Sequence, residues 1–372
     1  MKALEWHEFH ERLKARFTEV NGMEVVSDYG DPLAEYEALC ARAGVMDLSC
    51  RGRLFLGGAD RQRFLNGQVT NNVKDLRPGE GCYAALVTAK GKMQSDLNVC
   101  CLPDRLLVDF EPGLSAALLQ RFEKYIIADD VQVSDAAPAL GLVTVQGPES
   151  GPVISQLGVG IILPERPLCF CTVTDAALGE IHCVNQPRGV APGFDLFTPL
   201  PALGAVMDKL ITAVRAVGGR PAGWQALEMV RIEAGFPRFG IDMDETNLPP
   251  EAGIEARAVN YSKGCYIGQE VIARIRTYGQ VAKALRGLRL PDDLRELPKR
   301  GDKLFHGGKE AGYVTSAVAS PALKANLALG YVRREHNQAG TRLTLRSPAG
   351  ESAVTIVPLP FTGAAQEFEI CH

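Results

Sequence analysis

The stretch KGCYIGQE, residues 263–270, is the most distinctive segment of this 372-residue chain. It places Cys265 after Lys263-Gly264 and before Gly268. Glycine permits tight turns, so the pattern indicates a thiol presented on an accessible loop. The alternative is a glycine-bounded turn in which the cysteine is incidental. The stretch also separates a helix-and-strand part of the chain from a part made of short β-type runs.

Downstream of this stretch, from about Lys283, the sequence becomes a series of short apolar runs punctuated by Gly and Pro. The runs cover residues 285–290, 313–318, 327–332, 343–346 and 354–357. Several short strands at close spacing are typical of a small barrel or sandwich. The sequence therefore predicts a β domain at the C-terminus.

Upstream of the stretch, helical and strand-like patterns alternate. Strands are predicted at 53–56, 82–88, 93–102, 139–146, 169–174 and 182–185, and helices at 60–65, 114–127, 203–217 and 223–234. At the N-terminus, Trp6, Phe9, Leu13 and Phe17 recur at helical spacing and predict one further helix. This order favours α+β layers over a parallel βαβ array.

The composition excludes several classes of protein. With 46% hydrophobic residues, 23% charged residues and a net charge of -4, the chain shows no bulk basic surface for nucleic acid. No run approaches the roughly 18 apolar residues that cross a bilayer. Acidic residues near the N-terminus argue against a signal or transit peptide. We expect a cytoplasmic monomer without membrane or nucleic-acid partners. There is no P-loop, dinucleotide fingerprint or zinc-protease motif, and no bound metal is expected.

The cysteines show no CxxC pair and no zinc-type spacing. There are ten: Cys40, Cys50, Cys82, Cys100, Cys101, Cys169, Cys171, Cys183, Cys265 and Cys371. Free cysteine is among the most buried residue types, so most are expected to be buried reduced thiols. Cys169 and Cys171 share a strand face, which makes them a candidate thiol pair.

A second candidate site lies in RIEAGFPR, residues 231–238. Glu233 falls in the last turn of a predicted helix, where the helix dipole disfavours negative charge, and this conflict suggests a role beyond stability. A carboxylate accepts two hydrogen bonds side by side, as the amino-pyrimidinone edge of a pterin requires. The alternative is a solvated helix end in which Glu233 pairs with Arg231 or Arg238.

A third candidate is Asp96, which follows the glycine turn at 90–92 between two predicted strands. A positioned carboxyl of this kind can handle a proton in catalysis. Its alternative interpretation is simple surface solvation.

Residues 263–270 resemble the KGCYxGQE signature of the YgfZ folate-binding group, which is related to the glycine-cleavage T-protein. Other segments are similar to the same superfamily. They are FLNGQVT at 64–70, RIEAGFP at 231–237, the acidic and proline-containing stretch at 242–251, and ALGYV at 328–332. The resemblance spans roughly residues 40 to 335 of the chain.

The resemblance implies an α+β protein of three domains in a ring around a central folate site. The domains would be 1–140, 141–280 with the octapeptide, and 281–372 as a β-barrel. Tetrahydrofolate or a one-carbon derivative would be the cofactor. Glu233 would hold the pterin edge, while Arg231 and Arg238 would contact folate carboxylates. Cys265 would be the functional, catalytic cysteine, framed by Lys263, Gly264, Tyr266, Gly268, Gln269 and Glu270.

The function implied by the octapeptide is that of a folate-binding accessory protein for assembly or repair of iron–sulfur proteins. Its partners would be iron–sulfur client or assembly proteins, with tRNA modification as an indirect consequence. The alternative is a folate-dependent one-carbon transferase, either an aminomethyltransferase or a demethylase. T-proteins carry two adjacent aspartates after the glycine turn, whereas residues 91–96 here contain only Asp96. Asp96 would then be the catalytic acid or base, and whether the protein turns over substrate is left open.

Overall fold

The structure is a computed structural model that describes residues 1–363, except for the side chain of Tyr278. Cys371, one of the cysteines expected to be a reduced thiol, lies outside the described residues. The chain forms two compact units. The first comprises Met1–Ala84 and Asp96–Leu227, and the second comprises Ala85–Ser95 and the described chain from residue 228 to residue 363. The predicted domain boundaries near residues 140 and 280 stay a prediction.

The helices are mostly short. In chain order they are α1 (His7–Arg12), α2 (Pro32–Ala41), α3 (Arg61–Gln68), α4 (Ser115–Glu123), α5 (Ser150–Ser155), α6 (Leu203–Ala216), α7 (Trp224–Glu233), α8 (Glu255–Ala258) and α9 (Gln269–Tyr278). Two 3-10 turns lie at Leu200–Ala202 and Arg334–His336. Within residues 1–363, no helix has the length and apolar character needed to cross a membrane.

The strands supply most of the framework. In chain order they are β1 (Arg16–Val20), β2 (Met23–Asp28), β3 (Gly44–Asp47), β4 (Gly52–Gly57), β5 (Gly81–Val87), β6 (Met93–Cys101), β7 (Leu106–Phe110), β8 (Gln132–Asp135), β9 (Leu140–Gln146), β10 (Phe170–Asp175), β11 (Gly179–Asn185), β12 (Gly193–Pro199), β13 (Arg220–Pro221), β14 (Lys283–Arg289), β15 (Lys303–His306), β16 (Lys309–Ser320), β17 (Ala325–Arg333), β18 (Arg342–Ser347) and β19 (Gly350–Val357).

The first unit contains a six-stranded sheet in the order β10-β11-β12-β9-β3-β13. Its neighbouring strands run antiparallel except for β3 and β13, which are parallel. Helix α6 packs against the sheet because its apolar residues recur every three to four positions and form one face. Leu210 and Val214 on that face join Val143, Val145 and Leu196 in one buried core.

A five-stranded sheet in the order β5-β6-β7-β4-β8 belongs largely to the same unit, whereas the ends of β5 and β6 within residues 85–95 are assigned to the second. Strand β7 is buried along its whole length, although Asp109 interrupts its apolar sequence. The antiparallel register of β4 with β7 pairs Arg53 with Asp109. This register fixes where the charged residues of the sheet meet.

The second unit contains a closed barrel in the order β14-β17-β16-β15-β18-β19. Inward-facing residues of these strands form its core, among them Leu288, Leu304, Val314, Val332 and Leu345. Helices α8 and α9 and most of α7 belong to this unit, as does the turn between β5 and β6.

The α+β class and the C-terminal β-barrel are confirmed. The five predicted C-terminal runs correspond to β14, β16, β17, β18 and β19, and the sixth strand of the barrel, β15, was not predicted. The prediction of a helix through residues 6–17 is wrong beyond residue 12, because Phe17 lies in β1. The backbone turns between α1 and β1 at Lys14, which has a left-handed backbone conformation with a φ of 62°.

Candidate active site

Asp96 lies on β6 in the first unit and faces its neighbour strand β5. The Tyr83 hydroxyl donates a hydrogen bond to Asp96 Oδ2 at 2.9 Å. Burial, together with the negative charge of Glu111, raises the pKa of Asp96 to about 6, although the Tyr83 bond acts in the opposite direction. A carboxyl with such a pKa gains and loses a proton close to neutral pH.

A buried ion-pair network lies beside Asp96. Arg51 donates from Nε to Asp109 Oδ1 and from Nη2 to Asp109 Oδ2, both at 2.9 Å, and from Nη1 to Glu111 Oε1 at 2.5 Å. Asn98 Nδ2 also donates to Asp109 Oδ2 at 3.0 Å. Burial alone would lower the pKa of Arg51, but the two carboxylates hold it well above its ordinary value. The guanidinium therefore pairs with both carboxylates inside the protein.

A second buried acid, Asp195 on β12, adjoins this network. It is 2% exposed, and Arg188 Nε donates to its Oδ1 at 3.2 Å while Arg188 Nη2 binds its Oδ2. Burial raises the pKa of Asp195, and the negative charge of Asp109 adds to the effect. Gln146 supports the arrangement, because its Oε1 accepts from the Arg188 backbone N–H at 2.9 Å.

Sequence reasoning missed two buried acids of this network, Asp109 and Asp195. Asp109 and Asp195 stand alone in apolar strand sequences, LLVDF and GFDLF. Charged side chains are almost never fully buried unless they are paired. An isolated acidic residue within an otherwise apolar strand is therefore the sequence signal that indicates a buried polar site.

In the second unit, the predicted folate residues form tight internal contacts. Glu233, 4% exposed, ends α7, and its carboxylate accepts a hydrogen bond from the Ser320 hydroxyl. Arg231 Nη1 binds Asp242 Oδ2 at 2.6 Å, and its Nη2 donates to Ser316 Oγ at 2.9 Å.

Glu228 connects the two predicted arginines. Arg231 Nη2 donates to Glu228 Oε2 at 2.6 Å, and Arg238 Nη1 binds Glu228 Oε1. Burial would raise the pKa of Glu228, but Arg231 and Arg238 outweigh it and hold that pKa below its ordinary value. The structure thus brings Arg231 and Arg238 together on one carboxylate.

The octapeptide forms a loop that leads into α9. Cys265 and Gly264 are exposed, as expected of a presented thiol, and Cys265 is not in a disulfide. Tyr266 is 8% exposed, and burial raises its pKa to about 12. The Lys263 ammonium lies 4.9 Å from the centre of the Tyr266 ring, a cation–π contact.

The rest of the octapeptide caps α9. Gly268 precedes the helix with a φ of 84°, and a Cβ there would lie 2.5 Å from the Thr88 carbonyl oxygen. Only glycine therefore permits this approach to the turn between β5 and β6. Gln269 and Glu270 begin the helix, and Glu270 is exposed.

Comparison with known proteins identifies two matched regions. Residues 6–263 match the GCVT N-terminal domain, and residues 283–362 match the glycine cleavage T-protein C-terminal barrel domain. Together they cover most of the chain, including the candidate residues around Asp96 and Glu233.

Curated relatives match over the full length. Aminomethyltransferases from Rubrobacter xylanophilus and Geobacillus thermodenitrificans are 29% and 28% identical, covering 95% and 94% of this chain and 92% and 95% of those proteins. Among solved structures, glycine cleavage system aminomethyltransferase T from Bartonella henselae superposes with a TM-score of 0.87 at 22% identity. That match covers 97% of this chain and 98% of that one, and it shows a shared fold.

These matches contradict the main functional expectation. The expectation of an accessory role in assembly or repair of iron–sulfur proteins rests on the octapeptide together with Glu233, whereas relatives that match nearly the whole chain bear the name aminomethyltransferase. That expectation is wrong, and the iron–sulfur client partners and the link to tRNA modification lose their basis with it. The alternative, a folate-dependent transferase, is favoured instead.

Proposed function

Because the chain belongs to the glycine cleavage T-protein family, we propose that it is an aminomethyltransferase. It would transfer the one-carbon unit of a carrier-bound aminomethyl group to tetrahydrofolate and release ammonia. The carrier would be a lipoylated protein, which replaces iron–sulfur proteins as the expected partner. The predicted cytoplasmic location and monomeric state stay predictions.

The observation that carries the proposal is the carboxyl of Asp96. Its pKa of about 6 leaves it mostly ionised at neutral pH yet able to hold a proton. Formation of the new carbon–nitrogen bond requires the folate amine nitrogen to lose a proton. A base whose pKa lies near the working pH is suited to that step. In this account Asp96 accepts the proton, and the Tyr83 hydroxyl orients the carboxylate.

The surroundings of Asp96 fit a folate. Tetrahydrofolate supplies the nucleophilic amine when it is bound, and its pterin ring presents N–H donors that suit carboxylate acceptors. Asp96 would provide such an acceptor in the first unit, near the buried pairs of Arg51 with Glu111 and of Arg188 with Asp195. The surrounding burial also strengthens each polar contact.

Glu233 stays the proposed holder of the pterin edge, with Arg231 and Arg238 as proposed contacts of folate carboxylates. The burial of Glu233 and its hydrogen bond from Ser320 would give the carboxylate a fixed direction. Calorimetric titration with tetrahydrofolate tests this assignment. Glu233→Gln is expected to weaken binding by about tenfold or more, with exposed Glu335→Gln as the control. Equal affinity in both variants would remove Glu233 from the site.

The direct test of the function is a transfer assay on the full chain. The protein receives tetrahydrofolate and a lipoyl carrier protein loaded with an aminomethyl group, and both ammonia and methylenetetrahydrofolate are measured. Asp96→Asn is expected to lower the rate by about 100-fold or more. Asp104→Asn, at a side chain 74% exposed, is the matched control and should leave the rate unchanged. If wild-type protein forms no methylenetetrahydrofolate, the proposal fails.

The finer assignment to the YgfZ-type group rests on residues 263–270 and stays a prediction. Cys265 stays its proposed functional residue, and the exposure of the thiol supports access by a partner or substrate. In the transfer assay, a loss of more than tenfold in Cys265→Ser, but not in exposed Cys40→Ser, would support this role. Equal rates in the two variants would contradict it.

A further inference from the structure

The β10–β11 hairpin carries two cysteines at opposing positions. The antiparallel register pairs Cys171 with Cys183, flanked by the pairs Phe170 with Val184 and Thr172 with His182. Strand β10 is the outer strand of the six-stranded sheet, so β11 is its partner in the sheet order. The hairpin turns immediately after Asp175, whose carboxylate accepts backbone N–H bonds from the next residues.

Both cysteine side chains point to the same face of the sheet. Cys183 is fully buried in the core that α6 covers, and Cys171 packs against that core while remaining half-buried. The two thiols face each other across the strand pair. One cysteine of the pair is therefore partly exposed, and it lies opposite a second that is fully buried.

The backbone geometry suits a bond between them. Directly opposed residues of an antiparallel pair have Cα atoms about 4.5 or 5.5 Å apart, within the range that disulfides span. The pair anticipated from sequence, Cys169 and Cys171, is less suitable. Cys169 precedes β10, and even within a strand, residues two apart are about 6.5 Å apart, near the upper limit for a disulfide.

Cys171 is also the more reactive of the two. The hydrogen bond from Cys183 lowers the pKa of Cys171 to about 7, although burial opposes the change. The same bond and burial raise the pKa of Cys183. Because the thiolate is the nucleophile, Cys171 is prepared to react first and Cys183 second.

We propose that Cys171 and Cys183 form a thiol–disulfide exchange site that reacts with small-molecule disulfides and closes into a cross-strand disulfide. The Cys171 thiolate attacks one sulfur of the external disulfide, forms a mixed disulfide and releases one thiolate. Cys183 then gives its proton to the released thiolate and attacks the Cys171 sulfur, which expels the second thiolate. Two protein thiols are oxidised, and one external disulfide is reduced to two thiols.

The position of the Cys171–Cys183 disulfide determines its effect on the sheet. It would join the outer strand of the sheet to its neighbour and lock their register. The loop it closes is short, so its entropic stabilisation is small. Thiol–disulfide exchange runs in both directions, so an excess of external thiol would reopen the bond.

The test is peptide mapping of the full chain after exposure to oxidised glutathione. Cleavage after Glu180, between the two cysteines, separates them unless they are bonded. We expect a cross-linked pair of peptides in the wild type and in Cys169→Ser, and none in Cys171→Ser. Exposed Cys265 reports that the oxidant reached the protein, because it should carry a mixed disulfide.

Two results would overturn the proposal. One is glutathione on Cys265 with Cys171 and Cys183 still reduced. The other is a cross-link that persists in Cys171→Ser, which would transfer the chemistry to Cys169. The first result is read from the wild-type peptide map alone, so that test does not depend on any variant folding correctly.

Discussion

The Asp96 carboxyl couples the stability of the protein to pH. Its folded-state pKa of about 6 lies above the ordinary value of 3.8. Between these values the folded state binds more protons than the unfolded state, so stability falls as pH rises through this window. Above about pH 6 the folded protein bears the full cost of an ionised, partly buried carboxylate.

Asp96→Asn removes that cost while keeping an oxygen that can accept from Tyr83. We predict that the variant gains stability relative to the wild type as pH rises from about 4 to about 7.5, by of the order of 1–2 kcal/mol. Urea unfolding at both pH values measures the change. Asp104→Asn, at an exposed residue, is the control, and a stability difference independent of pH in Asp96→Asn would contradict the prediction.

The Arg188–Asp195 pair predicts a different effect. Arg188→Met leaves the Asp195 carboxylate buried without its guanidinium, which should cost about 3 kcal/mol at neutral pH. Arg166→Met is the matched control, since its side chain is 58% exposed where it meets Glu80. Exposed pairs contribute less than about 1 kcal/mol. Equal unfolding midpoints for the two variants would show that Arg188 is not needed to hold Asp195.

At the scale of elements, helix α9 offers a matched pair of glycines. Gly268 and Gly279 flank the helix, both with a φ of 84°. A Cβ on Gly268 would lie 2.5 Å from the Thr88 carbonyl oxygen, whereas a Cβ on Gly279 would meet nothing within 4 Å. The pair separates the effect of the left-handed backbone from that of close packing.

We predict that Gly279→Ala costs about 1 kcal/mol, the strain of the backbone alone. Gly268→Ala should cost about 2–4 kcal/mol, because the turn between β5 and β6 must also move. Thermal unfolding of both variants measures the difference. Similar losses for the two would contradict the close approach at Gly268.

Elements with strong local signals were predictable from sequence. An Asp-Pro pair is typical of a helix start, and at the start of α2 Asp31 Oδ1 accepts from the Ala34 N–H at 3.0 Å. The N-terminal helix prediction failed because apolar spacing does not reveal that Lys14 adopts a left-handed backbone conformation. Short strands such as β3 and β13 have no sequence period of their own and depend on their partners in the sheet.

At the scale of the whole molecule, the barrel could be predicted and the site could be predicted only in part. The barrel follows from a regular series of runs that are close in sequence. The site combines Arg51, Asp96, Glu111 and Asp195, which come from distant positions in the sequence and from parts of two different sheets. Asp96 was found because it follows a local turn, whereas its partners had no local signal apart from a charge within an apolar strand.

The inferred function also depends on how much of the chain is compared. Residues 263–270 describe a loop and the start of a helix, and this local feature led to the wrong main function. The full-length matches compare nearly the whole chain and favour one-carbon transfer. The octapeptide therefore bears on subgroup and on Cys265, while the family determines the reaction to test first.

The most direct test of the central claim, that Asp96 acts as the base in aminomethyl transfer, is the pH dependence of kcat/KM for tetrahydrofolate-dependent transfer. Because the ionised carboxylate is the active form, the rate should rise about tenfold per pH unit below about pH 6 and level off above it. Asp96→Asn should be slow and show no such break. A wild-type profile without a break near pH 6, or an Asp96→Asn profile that keeps it, would contradict the account.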